Sequence, residues 1–259
     1  MPLPSDIMLS LVALADAAGA EIMRVRAGGV EVSAKSDGSP VTLADQAAEA
    51  VILAGLPALA PGIPVVAEEQ AAAGNIPTPA PVFFLIDPLD GTKEFVRGSE
   101  EFTVNIGLVE NGVPTAGVVV LPASGIAYWT GGDGVAWRRL APGADAQRIC
   151  CRPAPAAGAT VVASKSHRTP ETDAFIATLA NARVISAGSS AKFCRVAEGV
   201  ADVYPRFGPT MEWDTAAGDA VVRAAGGLVT TVDGAALTYG KAGYRNPDFI
   251  CRGPGRGAG

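Results

Sequence analysis

Apolar side chains at Ile7, Leu11, Leu14, Ala18 and Ile22 recur at helical spacing, which predicts an amphipathic helix over residues 6–25 with Ser5 available as its cap. A polar turn from Lys35 to Pro40 separates it from a second helical stretch over residues 43–56, which ends before the Pro61-Gly62 break. The period then changes to that of strands. Short apolar runs at 65–67, 82–86, 103–109, 115–121, 126–130 and 135–139, divided by Gly, Pro and Asn, predict a meandering, largely antiparallel sheet.

Residues 141–158 are rich in Pro, Ala and Gly and interrupt every periodicity, so they are expected to join two halves, 1–148 and 149–259. Beyond them strand and helix signals alternate: strands at 161–163, 183–186 and 202–205, helices at 170–180, 189–198 and 214–225. This pattern predicts a smaller α/β unit. Residues 71–81 read as a low-complexity connector, and the Gly-rich tail from Gly253 is expected to be disordered.

Composition narrows the function. With 49% hydrophobic and 18% charged residues the chain of 259 is an ordered globule, and its 31 Gly and 20 Pro demand many turns. A net charge of −6 argues against a broad nucleic-acid or anionic-membrane surface. No apolar run approaches the roughly 18 residues that span a bilayer, and no basic region precedes the first apolar segment, so neither a membrane span nor a signal peptide is expected. Cys150, Cys151, Cys194 and Cys251 form no CxxC pair, which suits a reducing cytoplasm.

The candidate chemistry is acidic. The apolar run Val82 to Ile86 leads into Asp87-Pro88-Leu89-Asp90-Gly91-Thr92. A strand-to-turn exit accounts for either acid alone, with Asp capping, Pro fixing φ and Gly turning the chain. It accounts less well for both, since two carboxylates about 5 Å apart repel by roughly 3 kcal/mol at an effective dielectric near 20, a sign that a divalent cation reverses. Glu68-Glu69 follows another strand, and Asp214 follows Glu212-Trp213 at the start of an Ala-rich helix. Singly, Glu68 reads as a solvated loop acid and Asp214 as an N-cap; with Asp87 and Asp90 they make an all-oxygen donor set.

The single histidine, His167, cannot furnish the imidazoles zinc prefers, so the donors point to Mg²⁺, with Mn²⁺ or Ca²⁺ as substitutes. Magnesium completes its shell with water and substrate phosphate, which gives an acidic protein a phosphate site. Gly91 and Thr92 add backbone N–H groups beside the acids. Cysteine-phosphatase, haloacid dehalogenase and GxxxxGK[ST] signatures are absent, and Ser164 to Pro170 reads as a capping loop rather than part of a Ser-His-Asp triad.

Glu68-Glu69, the run Asp87 to Phe95 and Trp213 to Gly218 resemble the signatures of the lithium-sensitive, magnesium-dependent phosphomonoesterases, which include inositol monophosphatases and fructose bisphosphatases. Lys93 to Phe95, Gly188 to Cys194 and Tyr204 to Thr210 are similar, more narrowly, to 3'(2'),5'-bisphosphate nucleotidases of the CysQ type. The resemblance implies a layered α/β fold, an αβαβα sandwich, and Mg²⁺-dependent hydrolysis of adenosine 3',5'-bisphosphate to AMP and phosphate in sulfur assimilation, with lithium as an inhibitor. By motif position Glu68, Asp87, the Leu89 carbonyl, Asp90 and Asp214 would hold two or three Mg²⁺. Thr92 would hold the attacking water and Asp45 would accept from its hydroxyl, with Glu68 catalytic beside them. Asp45 taken alone reads equally as a surface acid.

Substrate would meet Glu68, Leu89, Asp90, Gly91, Thr92 and Asp214. The loop Gly188, Ser189, Ser190 and Lys192 suits phosphate or ribose, although Ser189 also reads as a cap and Lys192 as a solvated side chain. Arg206 suits a 5'-phosphate and reads nearly as well as a surface arginine. Phe193, Phe207 and Trp213 read as core. Asp219 stands where close relatives often carry His, which would add negative charge near Asp214. Inositol monophosphatase and fructose-1,6-bisphosphatase are the nearest rival readings, and a non-catalytic nucleotide-binding protein is the rival from another class. The expected partner is a small phosphorylated nucleotide and no nucleic acid, in a cytoplasmic protein that relatives suggest is a homodimer; peripheral attachment at the inner face of the membrane would need little sequence signal, and no basic amphipathic helix supplies one.

Overall fold

A capping box starts the helix that the fold leans on. Thr42 Oγ1 accepts the Ala44 N–H at 3.1 Å, and the Asp45 carboxylate accepts the Thr42 N–H at 2.8 Å. The computed structural model describes residues 3–30, 32–34, 40–78, 80–164 and 168–255. Helix α1 covers Ser5–Gly28 and α2 covers Leu43–Leu59. Helix α2 outruns its predicted end at 56 by three residues and contains Pro57 in its last turn. Before it, β1 (Val32–Ala34) and β2 (Pro40–Thr42) pair antiparallel; the predicted turn between them lies, apart from Pro40, outside the described residues.

The predicted meander is a seven-stranded sheet in chain order: β3 (Val65–Ala67), β4 (Val82–Asp90), β5 (Thr103–Glu110), β6 (Val113–Leu121), β7 (Ile126–Thr130), β8 (Ala136–Arg139) and β9 (Gln147–Ile149). Only the β3–β4 pair in it is parallel. Short helices α3 (Glu68–Ala72) and α4 (Thr92–Val96) leave the ends of β3 and β4. Strand β9 forms inside the stretch expected to be irregular, because pairing with β8 satisfies backbone groups that local propensity leaves undecided.

The alternating part gives a second sheet of five strands: β10 (Thr160–Ala163), β11 (Arg183–Ser186), β12 (Val203–Arg206), β13 (Leu228–Thr231) and β14 (Phe249–Arg252), ordered β11-β10-β12-β14-β13. The first three run parallel, and the pair β13–β14 closes the edge antiparallel. Helices α5 (Pro170–Ala177), α6 (Ala191–Ala197) and α7 (Ala216–Ala224) belong to this half. Helix α6 begins two residues later than predicted because Ser189 has φ +49°, outside the helical region. Helix α7 also begins two residues late, after a separate 3₁₀ turn over Glu212–Asp214.

Strand β4 shows why its run is apolar without interruption. Phe84 and Ile86 pack against α1 and α2 with Leu11, Ile22, Ile52 and Leu56, whereas Phe83 and Leu85 face the cluster of Phe193, Val221, Val222 and Phe249. Both faces of the large sheet are therefore buried. Helices α6 and α7 fill the space between the two sheets, and α5 packs on β12. The layers read α, β, α, β, α, as the resemblance implied. Among the described residues no helix is long and apolar enough to cross a membrane.

Candidate active site

The acids of β4 lie within the strand, not after it. Asp87 pairs with Asn105 and Asp90 with Thr103, so three residues of β4 advance against two of β5. Without this bulge, side chains three apart in a strand would point to opposite faces; with it, both acids share one face. The Asp87 carboxylate accepts the Leu89 N–H at 3.0 Å, which holds the bulge shut.

Glu68 arrives from the neighbouring strand. It opens α3 at the end of β3, and the buried Glu49 carboxylate fixes that helix start by accepting the Glu69 and Gln70 N–H groups at 2.8 and 3.1 Å. Asp214 comes from the other half, at the end of the 3₁₀ turn. It is not the N-cap of α7: its Oδ2 accepts the Met211 N–H at 2.8 Å, and Thr215 stands at the cap. One carboxylate oxygen each from Glu68, Asp87 and Asp214 lie within 4.8 Å of one another. Burial pushes the Asp87 carboxyl well above the usual carboxylate range, and the charges of Glu68, Asp90 and Asp214 push it further. Asp214 is raised well up by burial and then by Asp90 and Glu68. Asp90 is raised by burial, opposed by Lys192 and by hydrogen bonds from Ser190. Every donor in the cluster is oxygen, and its members repel; a hard dication fits that chemistry.

Beside the cluster Thr92 Oγ1 lies 2.9 Å from Asp45 Oδ1 and 3.2 Å from the Leu89 carbonyl. Asp45 is 2% exposed, so it is no surface acid. The acids Glu68, Asp90 and Asp214 line a cleft of about 570 Å³ whose lining also includes Lys93, Arg168, Lys192 and Arg206. Lys192 is buried rather than solvated, donates to the Ser189 carbonyl at 2.7 Å, and lies 5.3 Å from the centre of the Tyr204 ring. Burial pushes its ammonium down to about 8, against the partial support of Asp90. Arg206 is half-buried and donates to the Pro209 carbonyl at 2.9 Å.

Some candidates act on the backbone instead. Gly188 does not line the cleft; a Cβ there would stand 2.5 Å from the Glu101 carbonyl oxygen, so the residue allows close approach. Ser189 lines the cleft, but its hydroxyl is within reach of the Asp90 and Glu101 carbonyls at 2.8 and 3.1 Å, rather than capping α6. The Leu89 side chain is in the core. Phe193 and Trp213 are core as read, with Phe193 also touching the cleft, and Phe207 lies half-buried in its wall against Phe175. Asp219 turns away from Asp214: Arg223 Nε donates to it at 2.7 Å and the Tyr239 hydroxyl at 2.9 Å. His167 lies outside the described residues.

Glu49, Asn105 and Arg168 were not singled out by sequence. Glu49 stands four residues after Asp45 on one helix face, a signal that could have found it. Asn105 becomes a neighbour of the acids only through the β4–β5 register.

The pattern of the inositol monophosphatase family matches residues 5–252. The chain is 44% identical over 239 residues to the 3'(2'),5'-bisphosphate nucleotidase CysQ of Salmonella typhimurium, covering 91% of this chain and 95% of that one. The crystal structure of CysQ from Bacteroides thetaiotaomicron superposes with TM-score 0.80 at 37% identity, over 96% of this chain and 97% of that one. The Thermotoga maritima IMPase TM1415 superposes with TM-score 0.76 at 25% identity, over 95% and 92%. This protein belongs to the inositol monophosphatase family.

Proposed function

We propose that this protein is a magnesium-dependent phosphomonoesterase that hydrolyses the 3'-phosphate of adenosine 3',5'-bisphosphate, releasing AMP and phosphate. The convergence of Glu68, Asp87 and Asp214 beside a cleft also lined by cations carries the reading. The substrate follows from the relatives, which are 3'(2'),5'-bisphosphate nucleotidases at 44% identity over most of both chains. Glu68, Asp87, the Leu89 carbonyl, Asp90 and Asp214 would hold magnesium, which when bound supplies Lewis acidity to the phosphate and makes nearby water easier to deprotonate.

The chain's own groups do the positioning. Thr92, tied to Asp45 at 2.9 Å, has lone pairs left to accept a hydrogen bond from a water in the cleft and so to aim its oxygen at the 3'-phosphorus. Attack forms one P–O bond and breaks the bond to O3', which leaves with a proton. Lys192 and Arg206, which line the cleft, would hold the 5'-phosphate, and the Ser189 hydroxyl ties the loop before Lys192 to the Asp90 carbonyl.

Phosphate release from adenosine 3',5'-bisphosphate, inositol 1-phosphate and fructose 1,6-bisphosphate, with and without Mg²⁺ and with added Li⁺, tests the proposal. Preference for the nucleotide, dependence on Mg²⁺ and inhibition by Li⁺ are expected. A clear preference for either sugar phosphate overturns the substrate assignment.

A further inference from the structure

The Ser190 hydroxyl joins the two halves of the acidic cluster. Its oxygen lies 3.1 Å from Asp90 Oδ2, at the end of β4, and 2.7 Å from the Asp214 carbonyl, in the turn before α7. The same oxygen accepts from Asn105 Nδ2 at 3.0 Å. Ser190 is 1% exposed and Asn105 0%, so water does not compete for these bonds. Three segments that are remote in sequence, residues 90–105, 190 and 214, meet at one hydroxyl.

The arrangement is costly as structure alone. Asn105 is a fully buried amide whose Oδ1 has no hydrogen-bond partner among the described residues. Leaving a buried acceptor unmade is unfavourable, and the bond that Asn105 does make is aimed at Ser190. A serine hydroxyl has one proton and two acceptor sites. With Asn105 filling an acceptor site, the proton is turned toward Asp90 and the Asp214 carbonyl. Ser190 also stands at the N-cap of α6 without making a side-chain cap bond, so its hydroxyl is not spent on the helix.

We propose that Ser190, oriented by Asn105, is a positioning residue that sets the separation of Asp90 and Asp214 and thereby the affinity of the acidic cluster for Mg²⁺. The inference rests on the reading of these two acids as magnesium ligands. Ser190 does not line the cleft and touches neither substrate nor reacting atoms; it acts through the two acids it joins. Partners behind metal ligands fix the ligands' orientation, and losing one costs about 10–100-fold in metal affinity.

The test is Mg²⁺ binding measured directly by calorimetry on the full chain stripped of metal, for wild type, Ser190→Ala and the near-isosteric Ser190→Cys. Thermal midpoints of each are recorded with and without a fixed, subsaturating concentration of Mg²⁺. Ser190→Ala is expected to raise the Mg²⁺ Kd about ten-fold or more. Ser190→Cys, whose thiol is a weak donor, is expected to raise it in the same direction, and the midpoint gained on adding a fixed, subsaturating Mg²⁺ should shrink in both. A purely structural role would lower the midpoint equally with and without Mg²⁺ and leave Kd alone, and that result overturns the inference. If Ser190→Ala does not fold, an unchanged Kd in Ser190→Cys overturns it. A wild-type chain that takes up no Mg²⁺ overturns the metal site itself, a distinct failure from a wild type and variants that bind equally well.

Discussion

Thr92 Oγ1 donates to Asp45 Oδ1 at 2.9 Å, a bond that ties the first turn of α4 to the first turn of α2 across 47 positions of sequence. The other oxygen of Asp45 accepts the Thr42 N–H and hydroxyl at 2.8 and 2.7 Å, so the carboxylate is held from both sides. Thr92→Val keeps the shape and removes the hydroxyl. We expect turnover to fall about 10²-fold or more, with Mg²⁺ binding retained, because water orientation and proton transfer are lost together. Asp45→Asn should lose rate as well and also cost about 1 kcal/mol of stability through the spoiled cap. Full turnover in Thr92→Val would remove Thr92 from the reaction.

Mutual repulsion in the cluster gives the metal-free protein a characteristic pH dependence. Asp87, Asp90 and Asp214 all have folded-state carboxyls raised above the ordinary range, chiefly by burial. The folded state therefore holds protons that the unfolded state has released, and stability is present at acid pH and lost as pH rises through the folded values. Asp219, pushed up to about 6 by burial, adds the same sign. The thermal midpoint of metal-free protein should fall as pH rises from the ordinary carboxylate value of about 4 through about 6, and Mg²⁺ should flatten the fall. Asp87→Asn should be more stable than wild type at the upper pH without metal and gain little when Mg²⁺ is added. A metal-free midpoint that rises over this interval contradicts the cluster's electrostatics.

Much of this site was legible in the residues before the fold was known, for a physical reason. The β4 run, the Asp87 to Thr92 segment and the Trp213-Asp214 segment carry their chemistry in local order, so their spacing survives without coordinates. The change of period after Leu56 predicted the antiparallel meander, whereas the layered architecture came from the resemblance. What could not be read depends on register and on long-range pairing. The bulge that turns Asp87 and Asp90 to one face is a property of β4 against β5, and Asn105 meets Ser190 only after two sheets have packed on α6 and α7. Asp219 shows the same limit from the other side: standing where relatives often carry His, it suggested added charge near Asp214, yet its carboxylate pairs with Arg223 and Tyr239.

Lys192 should link nucleotide binding to pH. Burial lowers its ammonium to about 8 from the ordinary 10.5, so it is charged at neutral pH and loses its proton as pH passes that value. KM for adenosine 3',5'-bisphosphate should rise above pH 8, and Lys192→Met should raise KM at neutral pH and abolish the inflection. For stability the sign is opposite to that of the acids. Between 8 and 10.5 the unfolded chain binds the extra proton, so folding is favoured as pH rises through this window and the cost of the buried charge disappears. The stability advantage expected of Lys192→Met at neutral pH should narrow over the same window. A KM profile identical in wild type and variant would place the nucleotide elsewhere.

The contact between α7 and the large sheet admits no side chain at two places, and that contact sets where Asp214 stands. A Cβ on Gly117 of β6 would lie 2.3 Å from the Ala217 carbonyl oxygen and 2.9 Å from Ala220 Cβ; on Gly107 of β5 it would lie 2.8 Å from Ala216 Cβ. The obstacle at Gly117 is backbone, which cannot rotate aside, so the helix must move off the sheet. Gly117→Ala should cost about 1–3 kcal/mol or more by overpacking. Because α7 begins two residues after Asp214, the same shift should weaken Mg²⁺ binding, measurable by calorimetry beside the thermal midpoint. Gly28, the last residue of α1, is the control: a Cβ there meets nothing within 4 Å, and Gly28→Ala should be neutral or stabilising with Mg²⁺ affinity untouched. Equal midpoints and equal Mg²⁺ affinities for the two variants would mean that the seating of α7 on β5 and β6 does not govern the position of Asp214.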